Sequence, residues 1–71
     1  MHWWRYVNAE DGPMGESERF ESGEEAEAWL AEAWRLLVGR GVAEVLLYQE
    51  EGGEDVFLYR MALGPETSGE D

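Results

Sequence analysis

The side chains able to do covalent or acid–base chemistry are few in kind. One histidine, His2, and three serines, Ser17, Ser22 and Ser68, are the raw material for a nucleophile and its base, and cysteine is absent. His2 lies at the second residue, where chains fray, so a serine–histidine pair would lack a fixed base. Ser22 reads as a helix cap and Ser68 falls in a polar tail. Carboxylates are abundant instead. Seventeen Asp and Glu stand against five cations, all arginine, for a formal net charge of −12. So many acids make any one pair uninformative, and a glycosidase-type pair needs a cleft that 71 residues have little material to build.

Glu50, Glu51, Glu54 and Asp55 gather around Gly52-Gly53. Their oxygens could touch a hard cation, but the spacing is not that of an EF-hand loop, and they read as the soluble tip of a hairpin. The Gly-Gly pair opens no helix and precedes no lysine, so it is no phosphate cradle. No catalytic residue, metal ligand set or cofactor is expected. The charge also argues against a nucleic-acid surface, which needs clustered cations to displace counterions. It argues equally against docking on an anionic membrane.

The composition is that of one small globular domain. Without cysteine, packing must hold it, and nine aromatic residues supply the bulk: Trp3, Trp4, Trp29, Trp34, Tyr6, Tyr48, Tyr59, Phe20 and Phe57. Domains of this size bury only about 60% of their unfolded surface, less than larger ones do, so stability is thin. Missing lysine and isoleucine fit a GC-rich coding genome. The opening His2-Trp3-Trp4-Arg5 does not resemble a secretion signal, and no apolar run reaches membrane-spanning length, so a cytoplasmic protein is expected.

The elements follow from pattern. Trp3 to Val7 is aromatic or β-branched apart from Arg5 and reads as a strand. A cluster of turn formers spans Asn8 to Pro13, and a polar edge strand is expected from Glu16 to Phe20. Ser22-Gly23-Glu24-Glu25 is a capping box: the Ser22 hydroxyl accepts the Glu25 amide and Glu25 reaches back. Ala26, Trp29, Leu30, Ala33 and Leu37 then form one helical stripe, flanked by Trp34 and Leu36. Gly39-Arg40-Gly41 ends the helix, with one glycine left-handed and Val42 folded back. Val42 to Glu50 and Asp55 to Leu63 read as two strands joined by a Gly-Gly hairpin turn. The predicted fold class is α+β: a small antiparallel sheet of about four strands, β-β-α-β-β along the chain, with one amphipathic helix on one face. Residues 1–63 form the domain and 64–71 a polar, flexible tail.

Pairing outward from Gly52-Gly53 sets Tyr48 opposite Phe57, Leu47 opposite Leu58 and Leu46 opposite Tyr59. Val45, Leu47, Val56 and Leu58 then share one face, and Leu46, Tyr48, Phe57, Tyr59 and Met61 the other. Both faces are apolar, whereas a half-solvated sheet alternates apolar with polar. One helix covers one face only. The surplus predicts either a second copy on the other face or a sheet that closes over its own aromatics, and the first is favoured. Candidate interface residues are Trp3, Trp34, Leu46, Tyr48, Phe57, Tyr59 and Met61. Candidate acidic-surface residues are Glu24, Glu27, Glu32, Glu50, Glu51, Glu54 and Asp55.

Trp4-Arg5-Tyr6, Phe20, Glu25-Ala26-Glu27-Ala28-Trp29-Leu30, Trp34-Arg35, Gly41-Val42 and Val45-x-Leu47 together resemble a set of short uncharacterised proteins from GC-rich bacteria. The likeness runs to Leu63 and implies no activity or functional residue. The segment from Phe20 to Leu37 is also similar in style to HicB-type antitoxin domains, which place strands before and after such a helix. The leading expectation is a non-enzymatic interaction module that self-associates and shows an acidic exterior to a basic partner. The alternatives are an acidic inhibitor or nucleic-acid mimic occupying a basic cleft, and a small ligand-binding or enzyme accessory subunit.

Overall fold

The computed structural model describes residues 1–63; the expected tail at 64–71, with Ser68, lies outside the described residues. The elements are β1 (His2–Val7), β2 (Pro13–Glu16), α1 (Gly23–Gly39), β3 (Glu44–Glu51) and β4 (Glu54–Ala62). All strands pair antiparallel in one sheet of order β2-β1-β3-β4. The α+β class and the chain order β-β-α-β-β are as the pattern predicts.

The edge strand β2 sits earlier than Glu16–Phe20 because the turn before it is tighter than its composition suggests. The Asn8 Oδ1 accepts from the amides of Glu10 and Gly12, each at 2.8 Å, and Asp11 adopts φ 64°. The turn therefore closes by Gly12, and Pro13 opens the return strand opposite Val7. A proline is tolerable there because this edge pairs on one side only. The ladder breaks after Glu16 and resumes as a single bridge between His2 and Phe20.

The helix obeys its local signals. Ser22 is the N-cap and its side chain accepts the Glu25 amide at 3.1 Å. Glu25 reaches back one residue further than a capping box requires and accepts from the Glu21 amide at 3.2 Å. At the other end Gly41 takes φ 99°, its amide donates to the Val38 carbonyl, and the Val42 amide donates to the Leu37 carbonyl, each at 3.0 Å. That is a Schellman stop, and it returns Val42 to the core.

Trp4 joins the layers. Its side chain is fully buried, and its indole N–H donates to the Ala26 carbonyl of α1 at 2.8 Å. Its backbone N–H donates to the Ser17 Oγ, and the Ser17 N–H donates to the Trp4 carbonyl, both at 2.8 Å. Around it pack Leu30 and Leu37 from α1, Val45 and Leu47 from β3, and Phe20, Ala26 and Val42. Trp29 lies over Tyr6 in a stacked arrangement at 6.5 Å and tilts against Phe20 at 5.5 Å.

The hairpin departs from simple two-residue counting. Gly52 and Gly53 both adopt positive φ, 59° and 86°, as a type I′ turn demands. Glu51 opposes Glu54 and Tyr48 opposes Phe57, as counting predicts, but Leu47 opposes Tyr59 and Leu46 opposes Arg60. Leu58 is the extra residue of a β-bulge. Beyond a bulge the side-chain alternation is inverted. Tyr59 and Met61 therefore lie on the Val45–Leu47 side, under the helix, and not with Leu46, Tyr48 and Phe57.

Two substitutions test the Trp4 junction. Ser17→Ala leaves the Trp4 amide buried without its acceptor and is expected to cost about 1–3 kcal/mol. Trp4→Phe removes a hydrogen bond and leaves volume unfilled, for about 2–4 kcal/mol. Leu36→Ala, at a side chain 61% exposed, should change stability by less than about 0.5 kcal/mol. Urea unfolding of the three variants measures all of these.

Candidate functional site

The sheet is wider than the helix. Helix α1 approaches the sheet backbone most closely at β1, so the far strand, β4, is only partly covered. Every residue of β4 except Tyr59 is exposed. Val56, Phe57, Leu58 and Met61 retain 39–48% of their accessible surface, and Trp34, on the flank of α1 above Met61, retains 36%. Five of the eight large apolar side chains left exposed among the described residues thus lie on or beside β4, the others being Met1, Met14 and Leu36. The outward backbone of β4 has no strand beside it, because β4 ends the sheet.

Between α1 and β4 runs an open groove of about 440 Å³, lined by Glu27, Leu30, Ala31, Trp34, Met61 and Leu63 among others. It exists because the helix lies off-centre towards β1. Tyr59 spans the gap at one point: its ring packs edge-on against Trp4 at 6.2 Å, and its hydroxyl donates to the Glu27 carboxylate.

The sheet face away from the helix is closed mostly by its own residues. Trp3 stacks on Tyr48 at 4.8 Å with 16° between planes, and Tyr48 meets Phe57 edge-on at 5.7 Å. The Arg19 guanidinium lies 4.7 Å from the Trp3 ring centre, and the Trp3 indole N–H donates to the Asp55 Oδ1 at 3.3 Å. Trp3 is thereby left 6% exposed with no second layer above it. Arg19 is held by Glu16 and Glu50 at 3.5 and 3.7 Å, and Arg60 by Glu44, with Asp11 at 3.9 Å. Arg5 and Leu46 share this face, opposite one another in the β1–β3 register.

The expected interface residues therefore occupy three settings. Trp34 and Met61 meet at the groove on the helix side, and Phe57 lies exposed on the outer face of the same edge strand. Trp3, Leu46 and Tyr48 lie on the outer face, with Trp3 closed over by Arg19. Tyr59 lies on the helix side. Sequence reasoning passed over Val56 and Leu58, because counting from the turn set them with Val45 and Leu47 on the face opposite the aromatic one. Of the acids, Glu24, Glu27 and Glu32 project from α1 and Glu50, Glu51, Glu54 and Asp55 ring the hairpin tip, and all seven are exposed. Among the described residues no group of three or more metal-type ligands converges.

His2 is better anchored than its position suggests. Its backbone N–H and carbonyl both bond to Phe20 at 2.7 Å, and it pairs with Gln49 on the other side. The expected fraying does not occur, because β1 lies in the sheet interior. The hydroxyls of Ser17 and Ser22 are committed to the backbone, at Trp4 and Glu18 and at Glu25 respectively.

Burial, then the hydrogen bond and charge of Glu27, push the Tyr59 phenol from its ordinary 10.0 up to about 12. These contacts favour the neutral phenol, so their stabilising effect is complete below pH 10.0 and fades as pH rises towards about 12. Tyr59→Phe should be less stable than the parent chain at neutral pH, and the two should converge across that alkaline window. Thermal melts at stepped pH measure this. No protein family profile, curated protein or solved structure matches the chain.

Proposed function

We propose that this protein is a non-enzymatic interaction module that self-associates through the margin formed by β4 and the Trp34 flank of α1. The observation that carries the reading is that Val56, Phe57, Leu58 and Met61 of β4, on both faces of the strand, and Trp34 beside them on α1 are all exposed along an unpaired strand edge. Isolated exposed apolar residues need no explanation; a contiguous set at a sheet edge does. The two described serines support the non-enzymatic part, since each hydroxyl is spent on backbone groups. The exposed acids of α1 and of the hairpin tip keep the surrounding surface soluble. No helix is long and apolar enough to cross a membrane, among the described residues.

Sedimentation velocity across a micromolar concentration series tests the reading. The parent chain should show a concentration-dependent dimer. Phe57→Glu combined with Met61→Glu should shift it to monomer with an unchanged circular dichroism spectrum, since both side chains are exposed in the single subunit. A parent chain that stays monomeric up to high micromolar concentration overturns the proposal.

Salt dependence gives a second test. Two bodies of formal charge −12 repel at long range, and screening over about 10 Å at 0.1 M salt reduces that cost. The dimer should therefore tighten between low and moderate sodium chloride. A dissociation constant that weakens over this range would mean that interfacial ion pairs outweigh the net repulsion.

A further inference from the structure

The two edges of the sheet are not equivalent. The β2 edge is four residues long and begins with Pro13, which has no N–H to offer. It carries Gly15 at φ +124° and breaks at Ser17, whose hydroxyl and amide are turned to Trp4. The β4 edge is nine residues long and contains neither proline nor glycine. It is also polarised in charge: Glu54 and Asp55 open it and Arg60 lies near its end. Two such strands laid parallel would set like charges together. Laid antiparallel, each acidic end meets the cationic end of the other.

The bulge sharpens this. Asp55 pairs with Glu50 and Arg60 with Leu46, and both partners lie on the sheet face away from the helix. Without the extra residue Leu58, positions 55 and 60 would point to opposite faces. With it they share one. Setting Asp55 opposite a second copy's Arg60 also sets Val56 opposite Tyr59 and Glu54 opposite Met61, each pair on the helix side, so the pairs flanking the central Phe57 and bulged Leu58 match in face. Moving the register by two residues one way keeps the flanking faces matched but sets Asp55 opposite Ala62 and leaves the charges uncompensated, and moving it two the other way sets Val56, on the helix side, opposite Phe57, on the outer face. A register shifted by one residue mismatches the faces of the charged pairs, setting Asp55 opposite Met61 or Tyr59.

We infer that two copies of this chain join β4 to β4, antiparallel about a two-fold axis, with Asp55 of each opposite Arg60 of the other. The four-stranded sheet thereby becomes a continuous eight-stranded one. The bulge, which on a free edge discourages pairing, falls beside the axis and is shared symmetrically. The inference rests on the self-association proposed above and adds its geometry.

Complementary charge variants test the register. Asp55→Arg alone sets Arg against Arg at both ends of the junction, and Arg60→Asp alone sets Asp against Asp. Each should dimerise at least about tenfold more weakly than the parent. Mixing the two variants restores opposite charges at both ends, so an equimolar mixture should form a heterodimer at parental strength. Positions 55 and 60 lie too far apart along one strand to compensate each other within a chain, so recovery on mixing reports contact between copies. If the parent dimerises but the mixture does not recover, the β4 register is wrong while self-association survives. A monomeric parent sinks both. Should Arg60→Asp fail to fold for want of its Glu44 contact, hydrogen exchange on the parent decides. Protection of β4 amides that rises with protein concentration supports the edge pairing, and protection that does not change overturns it.

Discussion

The fold depends on the placement of one indole. Trp4 lies in β1, an interior strand, and points under the helix. A fully buried N–H there must find an acceptor, and the Ala26 carbonyl near the start of α1 supplies it. This bond sets where along the sheet the helix begins. The ring fills the space that bond defines, between Leu30, Val45 and Leu47 and against Tyr59. The same residue's backbone is tied by Ser17 to the polar segment that follows β2. In a domain this small, whose margin of stability is a few kcal/mol, a junction of three elements at one residue carries a large share of the whole.

Fastening the helix at β1 has a consequence on the other side of the sheet. A single helix is about 10 Å across with its side chains, while four strands at about 4.8 Å spacing are nearly twice that. With α1 held towards β1, the width left over falls at β4. The groove between α1 and β4 and the exposed Val56, Phe57, Leu58 and Met61 are products of that offset. Trp29 and Trp34 express the same asymmetry. Trp29 is packed over Tyr6 and Phe20 on the β1 side, and Trp34 stands over Met61 on the β4 side.

The outer face resolves the surplus of apolar sheet differently from the edge. There the chain closes over itself: Arg19 caps Trp3, Tyr48 stacks beside it, and Asp55 accepts the Trp3 indole N–H. Three of the arginines, Arg5, Arg19 and Arg60, serve this one face of a strongly acidic protein. An arginine laid flat on an aromatic ring covers apolar area while keeping its charge in contact with water. Trp3 can thus be buried without a second layer. The unmet apolar surface contracts from a whole sheet face to one strand.

Signals that act over a few residues were legible in the chain. The Ser22–Glu25 cap, the helical stripe from Ala26 to Leu37, the glycine stop with Val42 turned back, and the Gly52-Gly53 turn are local in cause and stand where the pattern predicts, the structure choosing Gly41 over Gly39 for the left-handed position. So does the order of elements, because each boundary is marked by residues with a distinct backbone preference. What lay beyond the sequence was set by contacts distant along the chain. No glycine or proline marks the bulge at Leu58, yet it decides which face Tyr59, Arg60 and Met61 occupy. The anchoring of His2 turned on β1 becoming an interior strand, whereas the start of β2 turned on a local closure that composition does not mark, Asn8 accepting from Glu10 and Gly12. The cover on Trp3 required Arg19 and Asp55, which are 16 and 52 residues away from it, to arrive at one place. Local propensity selects elements; only the three-dimensional assembly selects which side chains are left without a neighbour, and the candidate interface is made of those.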